Sequence, residues 1–471
     1  MENKLEKKYG LPTAIAMVVG IVIGSGVFFK AQTILQKTKG DLPLGILAWI
    51  IGGVIMIACV LAFAIMATRY EKVNGIVDYS EAVVGKGYAY YVGWFMTTIY
   101  YPTLTSVLAW LSARYTLVFI TSVNPNFPLH IPADQGGCVI GPECMALMLF
   151  YICCAYAVNA LSPKLAGKFQ VGTTVIKMIP LALMAVVGLI YGLANGITQA
   201  NFAAVPAAAA AGEVSPLFAA VVATSFAYEG WIIATSINAE LKDAKKNLPK
   251  ALIIGGIVVI ATYILYYVGV AGGATNQELM ETGATTAFVN IFGNVLGNIL
   301  NLFIAVSCMG TMNGLMLGCC RGMYSLAVRD EGPAPKVFGQ IDRETNMPTN
   351  SSVLAMLLCG IWGMYFYLAN LSASGASWFG KFVFDSSELP IVTIYAMYIP
   401  IFLLFMKKAN DLGTGKRYII PALALIGSAF MVFACVYAHP TETIFYLILF
   451  AVIMVIGALL QKSKAKAGAG K

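Results

Sequence analysis

The chain has 471 residues, 59% of them apolar and only 11% charged, with a mean hydropathy of +0.79. That leaves far too little polar surface for a soluble protein of this length and implies a polytopic membrane protein. The net charge of +8 could suggest nucleic acid, but with the N-terminus inside, about 23 of the 30 Lys and Arg fall in inside segments, and Lys30, Lys37, Lys39 and Lys381 are the outside ones. The basicity therefore reports topology. It puts both termini in the cytoplasm and excludes a nucleic-acid partner.

Twelve apolar segments are long enough to cross about 30 Å of hydrocarbon. They lie near 11–35, 43–67, 89–120, 146–162, 167–195, 215–239, 251–273, 293–327, 352–371, 384–406, 418–438 and 442–461. No cleavable signal peptide is expected, because only MENKLEKK precedes the first apolar run.

Span 1 contains VVGIVIGSGVFF, Val18 to Phe29, in which Gly20, Gly24, Ser25 and Gly26 weaken a helix at mid-span. Unpaired backbone groups in lipid cost several kcal/mol each, so such a break must line a cavity or be covered by protein. Two half-helices meeting there offer free amides at one end and free carbonyls at the other, a match for an anion and a cation respectively. An amino acid carries both groups on one carbon.

The loop from Lys37 to Pro43 turns the chain outside, and span 2 returns it with Gly45, Gly52 and Gly53 as close-contact faces. The inside stretch from Thr68 to Trp94 reads as an interfacial helix or loop, with Tyr88, Tyr90, Tyr91 and Trp94 as aromatic-belt residues. Span 5 holds Lys177, which either serves function from within the membrane or snorkels to the interface; Pro180 just after it predicts a kink. Span 6 contains ATSFAYEGW, with Glu229 followed by Gly230 in an otherwise apolar run. A carboxylate there needs a partner, a proton or a ligand. Spans 1 and 6 are thus two interrupted helices five spans apart, the pattern of an inverted-repeat transporter with its site at the midplane. Without that pattern, twelve spans would equally suit a channel or a membrane enzyme.

Span 8 runs into an inside loop ended by Gly332, Pro333 and Pro335. Asp385 and Glu388 open span 10 and are expected near the outer surface. Spans 11 and 12 carry no intramembrane charge, and their expected work is packing or contact with a second copy in a homodimer. Cys138 and Cys144 share an outer loop, where they either form a disulfide or remain thiols. The other cysteines have no metal-ligand spacing, and the two histidines, His130 and His439, fall in outer loops, so no metal site and no cofactor is expected. No Gly-rich phosphate loop appears, which argues against ATP drive.

Four motifs carry a family resemblance: GIVIGSGVFF at Gly20 to Phe29; FAYEGW at Phe226 to Trp231 with AELKDAKKNLPKAL at Ala239 to Leu252; MNGLMLGCCRGMYSLAVRDEGPAP at Met312 to Pro335; and the lysine of TTVIKMIP. In this order the chain resembles an amino acid–polyamine–organocation (APC) superfamily permease, most of all the branch of bacterial and animal L-type amino acid exchangers. The resemblance implies an all-α fold with twelve transmembrane helices in a 5+5 inverted-repeat (LeuT-like) arrangement. Repeat one would cover about 11–195, repeat two about 215–406, and two accessory helices about 418–461. It implies that the amides around Gly24, Ser25 and Gly26 and the Ser25 hydroxyl hold the substrate carboxylate. Main-chain carbonyls of Val22, Thr224 and Ala227 would hold the α-amino group, and Phe226 would close over the substrate. Lys177 is similar to a lysine whose ammonium replaces the sodium of sodium-coupled relatives.

The departure is Glu229, where exchangers for large neutral substrates have a small residue. It could pair with a cationic side chain, hydrogen-bond a polar one, take up a proton, or fill the pocket. The resulting expectation is a secondary carrier, not an enzyme, that moves L-amino acids across the cytoplasmic (inner) membrane by alternating access and sodium-independent exchange. The alternative is proton-coupled uptake of amino acids, or of cationic amino acids or polyamines, using Glu229. Its partners would be the amino acid and the lipid bilayer.

Overall fold

The computed structural model describes residues 10–70, 75–130, 141–204, 215–231, 241–371, 379 and 382–469. All regular structure there is helical. The elements are α1 (Leu11–Val22), α2 (Gly26–Lys37), α3 (Leu42–Arg69), α4 (Ile76–Val83), α5 (Lys86–Phe95) running through a π turn into α6 (Tyr101–Val123), α7 (Pro142–Leu161), α8 (Pro163–Leu183) running through a π turn into α9 (Leu189–Ala194), and α10 (Ile197–Ala203). They continue as α11 (Pro216–Ala227), α12 (Ala244–Ala271), α13 (Asn276–Thr282), α14 (Ala284–Ala327), α15 (Pro335–Phe338), α16 (Thr349–Leu371), α17 (Leu389–Lys408), α18 (Ile420–Ala438) and α19 (Pro440–Ala469). Ten helices among the described residues are long and apolar enough to cross a membrane, and α1 and α11 are shorter apolar helices.

Local chemistry explains several boundaries. Asp41 accepts from the Leu44 N–H at 2.8 Å and starts α3 with Pro43 in its first turn. Thr275 and Glu278 form a reciprocal capping box on α13. Pro180 sits inside α8, and the π turn at Met184–Gly188 follows one turn later, so the expected distortion is absorbed as a widened turn. The long α14 is bent at Gly293, whose φ is 77°.

The chain forms two compact units, each drawing on both halves of the sequence. The first comprises Met1–Ala89, Leu181–Gly297 and Ile391–His439. In it α12 packs along α1 and α3, α11 along α2 and α3, and α18 along α3 and α11. Small residues allow these approaches: a Cβ on Gly427 would lie 3.1 Å from Ile55, beside Cys59 facing the Ser428 hydroxyl at 3.6 Å. Span 11 therefore packs against the broken helix of span 6. One end of this unit is tied by Asn201, which donates to Ala271 O at 2.6 Å and Ala274 O at 2.8 Å, and by Asn276, which donates to Gly40 O at 2.8 Å.

The second unit comprises Tyr90–Pro180, Asn298–Pro390 and Pro440–Lys471. Polar side chains link its helices: Ser106 donates to Cys359 O at 2.7 Å, Trp362 to Thr98 O at 2.9 Å, and Asn159 to Asn313 Oδ1 at 2.8 Å. Tyr90 and Trp94, read from sequence as belt residues, are instead buried and donate to Gly457 O at 2.8 Å and Ile453 O at 3.0 Å on α19. Amphipathic rings suit a helix contact with carbonyls in reach as well as they suit an interface. Tyr91 is exposed, and Tyr88 donates to Met397 O within the first unit. The stretch containing Cys138 and the second half of span 6, 232–240, lie outside the described residues.

Candidate functional site

The first helix stops where its glycines begin. After Val22 the backbone turns extended at Ile23 (ψ 99°) and resumes helically at Gly26. Among the described residues, the Ser25 and Gly26 amides have no main-chain acceptor, and the Ser25 hydroxyl, 1% exposed, makes no hydrogen bond. These donors sit at the positive end of the 12-residue α2.

The second interruption follows Ala227. The Tyr228 N–H closes the last turn onto Thr224 O at 3.1 Å, the Glu229 N–H reaches Phe226 O at 3.3 Å, and Gly230 turns the chain away at a φ of 97°. A side chain at that φ would be strained, so Gly230 is the residue that lets the helix end here. The Thr224 carbonyl is thus engaged in the helix terminus, and its hydroxyl donates to Val221 O at 2.7 Å.

The two breaks abut within the first unit. A Cβ placed on Gly26 would lie 2.7 Å from Ala227 Cα and 3.1 Å from Phe226 O, closer than real side chains approach. Phe226, 8% exposed, meets Phe29 edge-on with ring centres 5.1 Å apart. Glu229, in the turn, lies within electrostatic range of Cys59 and Tyr395.

Two residues that sequence reading missed complete this region. Lys30, counted there as an outside lysine, is 1% exposed on α2, its ammonium 5.2 Å from the Phe29 ring centre and 5.7 Å from that of Phe226. The spacing held the signal, since Lys30 follows Gly26 by four residues and so shares its helix face. Tyr263 of α12 is fully buried, with its hydroxyl 2.8 Å from Ala227 O and 3.1 Å from Val22 O. A hydroxyl in the middle of an apolar span was the available clue, because a buried tyrosine needs a hydrogen-bond partner.

Lys177 belongs to the second unit and is 4% exposed. A snorkelling lysine keeps its head in the wet interface, and this one is buried. One turn earlier on the same face, Thr173 lies where a Cβ on Gly310 would approach its Oγ1 to 2.2 Å, so α8 and α14 are in backbone-close contact there. Glu388, expected near the outer surface, is 2% exposed.

A helical membrane protein whose first span breaks after Val22 and whose sixth-span helix ends at Ala227, with main-chain donors and carbonyls brought together there, has the build of a broken-helix membrane carrier. The fold is similar to that of a solved structure described as MhsT in complex with L-phenylalanine, with a TM-score of 0.59 and 14% identity, covering 97% of this chain and 99% of that one. The chain matches the family described as Amino acid permease over residues 9–459. It belongs to that family, whose function is amino acid transport.

Among curated proteins it is similar to the serine/threonine exchanger SteT of Bacillus subtilis (strain 168), 27% identical over 447 residues, 91% of each chain. It is also similar to the human b(0,+)-type amino acid transporter 1, 28% identical over 451 residues, 95% of this chain and 86% of the relative. The mouse Asc-type amino acid transporter 1 is 27% identical over 361 residues, 75% of this chain and 63% of the relative.

Proposed function

We propose that this protein is an amino acid exchanger of the cytoplasmic membrane, with both termini inside, that binds its substrate at the two abutting breaks and works by alternating access without sodium. The observation that carries the reading is the close approach of the breaks at Gly26, which brings the N-terminal amides of α2 beside the C-terminal carbonyls of α1 and α11. The amides of Gly24, Ser25 and Gly26 and the Ser25 hydroxyl receive the carboxylate, for which the helix terminus supplies partial positive charge. The carbonyls of Val22 and Ala227 receive the ammonium, with Thr224 bordering them. Phe226 covers the substrate, and Glu229 sets which side chains are accepted.

Lys177 supplies a fixed buried charge in place of a coupling cation, and its burial supports that role over an interfacial one. Segments 11–195 and 215–406 act as the two repeats, with 418–461 accessory to them. Exchange is supported by the name of one relative matched over 91% of its length, a serine/threonine exchanger.

The test is uptake of labelled amino acid into proteoliposomes, loaded inside with unlabelled amino acid or left empty, in sodium-free buffer. Exchange predicts uptake into loaded vesicles and little into empty ones. Equal uptake into both, driven by an imposed pH gradient and lost in Glu229→Gln, would replace exchange with proton coupling.

A further inference from the structure

Tyr263 touches both interruptions at once. Its hydroxyl contacts Ala227 O at 2.8 Å and Val22 O at 3.1 Å, and the main chain of Gly24 is a third polar neighbour. The ring is fixed between the rings of Trp49, with centres 5.3 Å apart, and Tyr228, 5.2 Å apart. The position of the hydroxyl is therefore set by packing.

Two consequences follow from a single oxygen between two carbonyls. A phenol has one proton, so it satisfies one carbonyl at a time, and each carbonyl oxygen has a second lone pair for another donor. The shared contact also bounds the gap, since the two carbonyl oxygens can be no farther apart than the two contact distances laid end to end. An ammonium donating to both at the usual N···O length of about 2.9 Å requires acceptors within about 6 Å of each other. The hydroxyl thus lies in reach of two main-chain acceptors, from helices that are not continuous with each other, whose spacing one ammonium can bridge.

We propose that Tyr263 is a positioning residue for the substrate ammonium, fixing the Val22 and Ala227 carbonyls as a preformed pair. This rests on the reading of the two breaks as the amino acid site. Without the hydroxyl the side-chain contact shared by the two carbonyls is lost, and the ammonium must order them on binding.

The experiment compares the wild type, Tyr263→Phe and Tyr228→Phe in proteoliposomes. Each is assayed for inhibition of labelled substrate uptake by the unlabelled amino acid and by its deaminated analogue, the same carboxylic acid with hydrogen replacing the α-amino group. The ratio of the two inhibition constants is taken within each preparation, so partial loss of folded carrier cancels. Tyr263→Phe keeps the packed ring and removes one hydrogen-bond donor, so it should weaken the amino acid about two- to tenfold, leave the deaminated analogue unchanged and shrink the ratio accordingly. Tyr228→Phe keeps the ring that packs on Tyr263 and removes only a buried hydroxyl that donates to Trp49 O at 2.8 Å, so it should leave the ratio intact. An unchanged ratio in Tyr263→Phe, or an equal fall in Tyr228→Phe, would show a merely structural hydroxyl and overturn the proposal. A wild type that does not distinguish the amino acid from its deaminated analogue would instead overturn the underlying reading of the breaks.

Discussion

Gly26→Ala is the smallest change that probes the meeting of the two breaks. The added methyl would sit 2.7 Å from Ala227 Cα, and ordinary contact begins at 3.4 Å, so it falls about 0.7 Å short. The obstructing atom is backbone, with Phe226 Cδ1 at 3.0 Å and Phe226 O at 3.1 Å beside it, so rotamer adjustment cannot relieve the clash. Either α2 and α11 separate or the strain is retained, and overpacking of this kind costs about 1–3 kcal/mol. If the loss falls on the substrate-bound state, exchange at limiting substrate drops roughly 5- to 150-fold. The control is Gly360→Ala on α16, where a Cβ meets nothing within 4 Å. Exchange in loaded proteoliposomes and thermal unfolding of the detergent-solubilised carrier should both be impaired in Gly26→Ala and both near wild type in Gly360→Ala. Wild-type exchange together with a wild-type unfolding temperature in Gly26→Ala would refute the reasoning, because a working carrier could then not bring the breaks this close.

Lys177→Ala should slow exchange at least tenfold while the protein still reaches the membrane, and an unchanged rate would remove the lysine from the transport cycle. Glu229→Gln should alter the ranking of cationic, small neutral and large neutral competitors or the pH dependence of exchange; a competition panel with neither change would assign Glu229 to packing. Lys30→Glu replaces a cation over two aromatic rings by an anion against the same faces, a reversal of an interaction of up to about 2 kcal/mol when desolvated, and should lower the unfolding temperature measurably. Asn201→Ala strands the carbonyls of Ala271 and Ala274 and the amide of Asn276, and should destabilise the fold by about 2–4 kcal/mol, read as the shift in thermal unfolding.

Much of the fold was legible because its determinants are local. Apolar run length gave the membrane class and most helices within several residues, and the concentration of small residues at Gly24–Gly26 marked where α1 gives way to α2. The Glu229–Gly230 pair marked the second break, since a positive φ followed by a change of direction is something glycine alone adopts readily. What remained illegible depends on helix facing across the bundle. The spacing put Lys30 on the Gly26 face and the mid-span hydroxyl of Tyr263 called for a partner, but neither named Phe226, Val22 or Ala227, which other helices bring to them. Tyr90 and Trp94 were misread for the same reason: their partners, Gly457 and Ile453, lie hundreds of residues away in sequence.

The most direct measurement is an experimental structure of the carrier with a transported L-amino acid bound. The account predicts the carboxylate within hydrogen-bond reach of the Ser25 and Gly26 amides and the ammonium on the Val22 and Ala227 carbonyls beside the Tyr263 hydroxyl. An amino acid bound elsewhere, with α1 and α2 merged into one unbroken helix around it, would contradict the account.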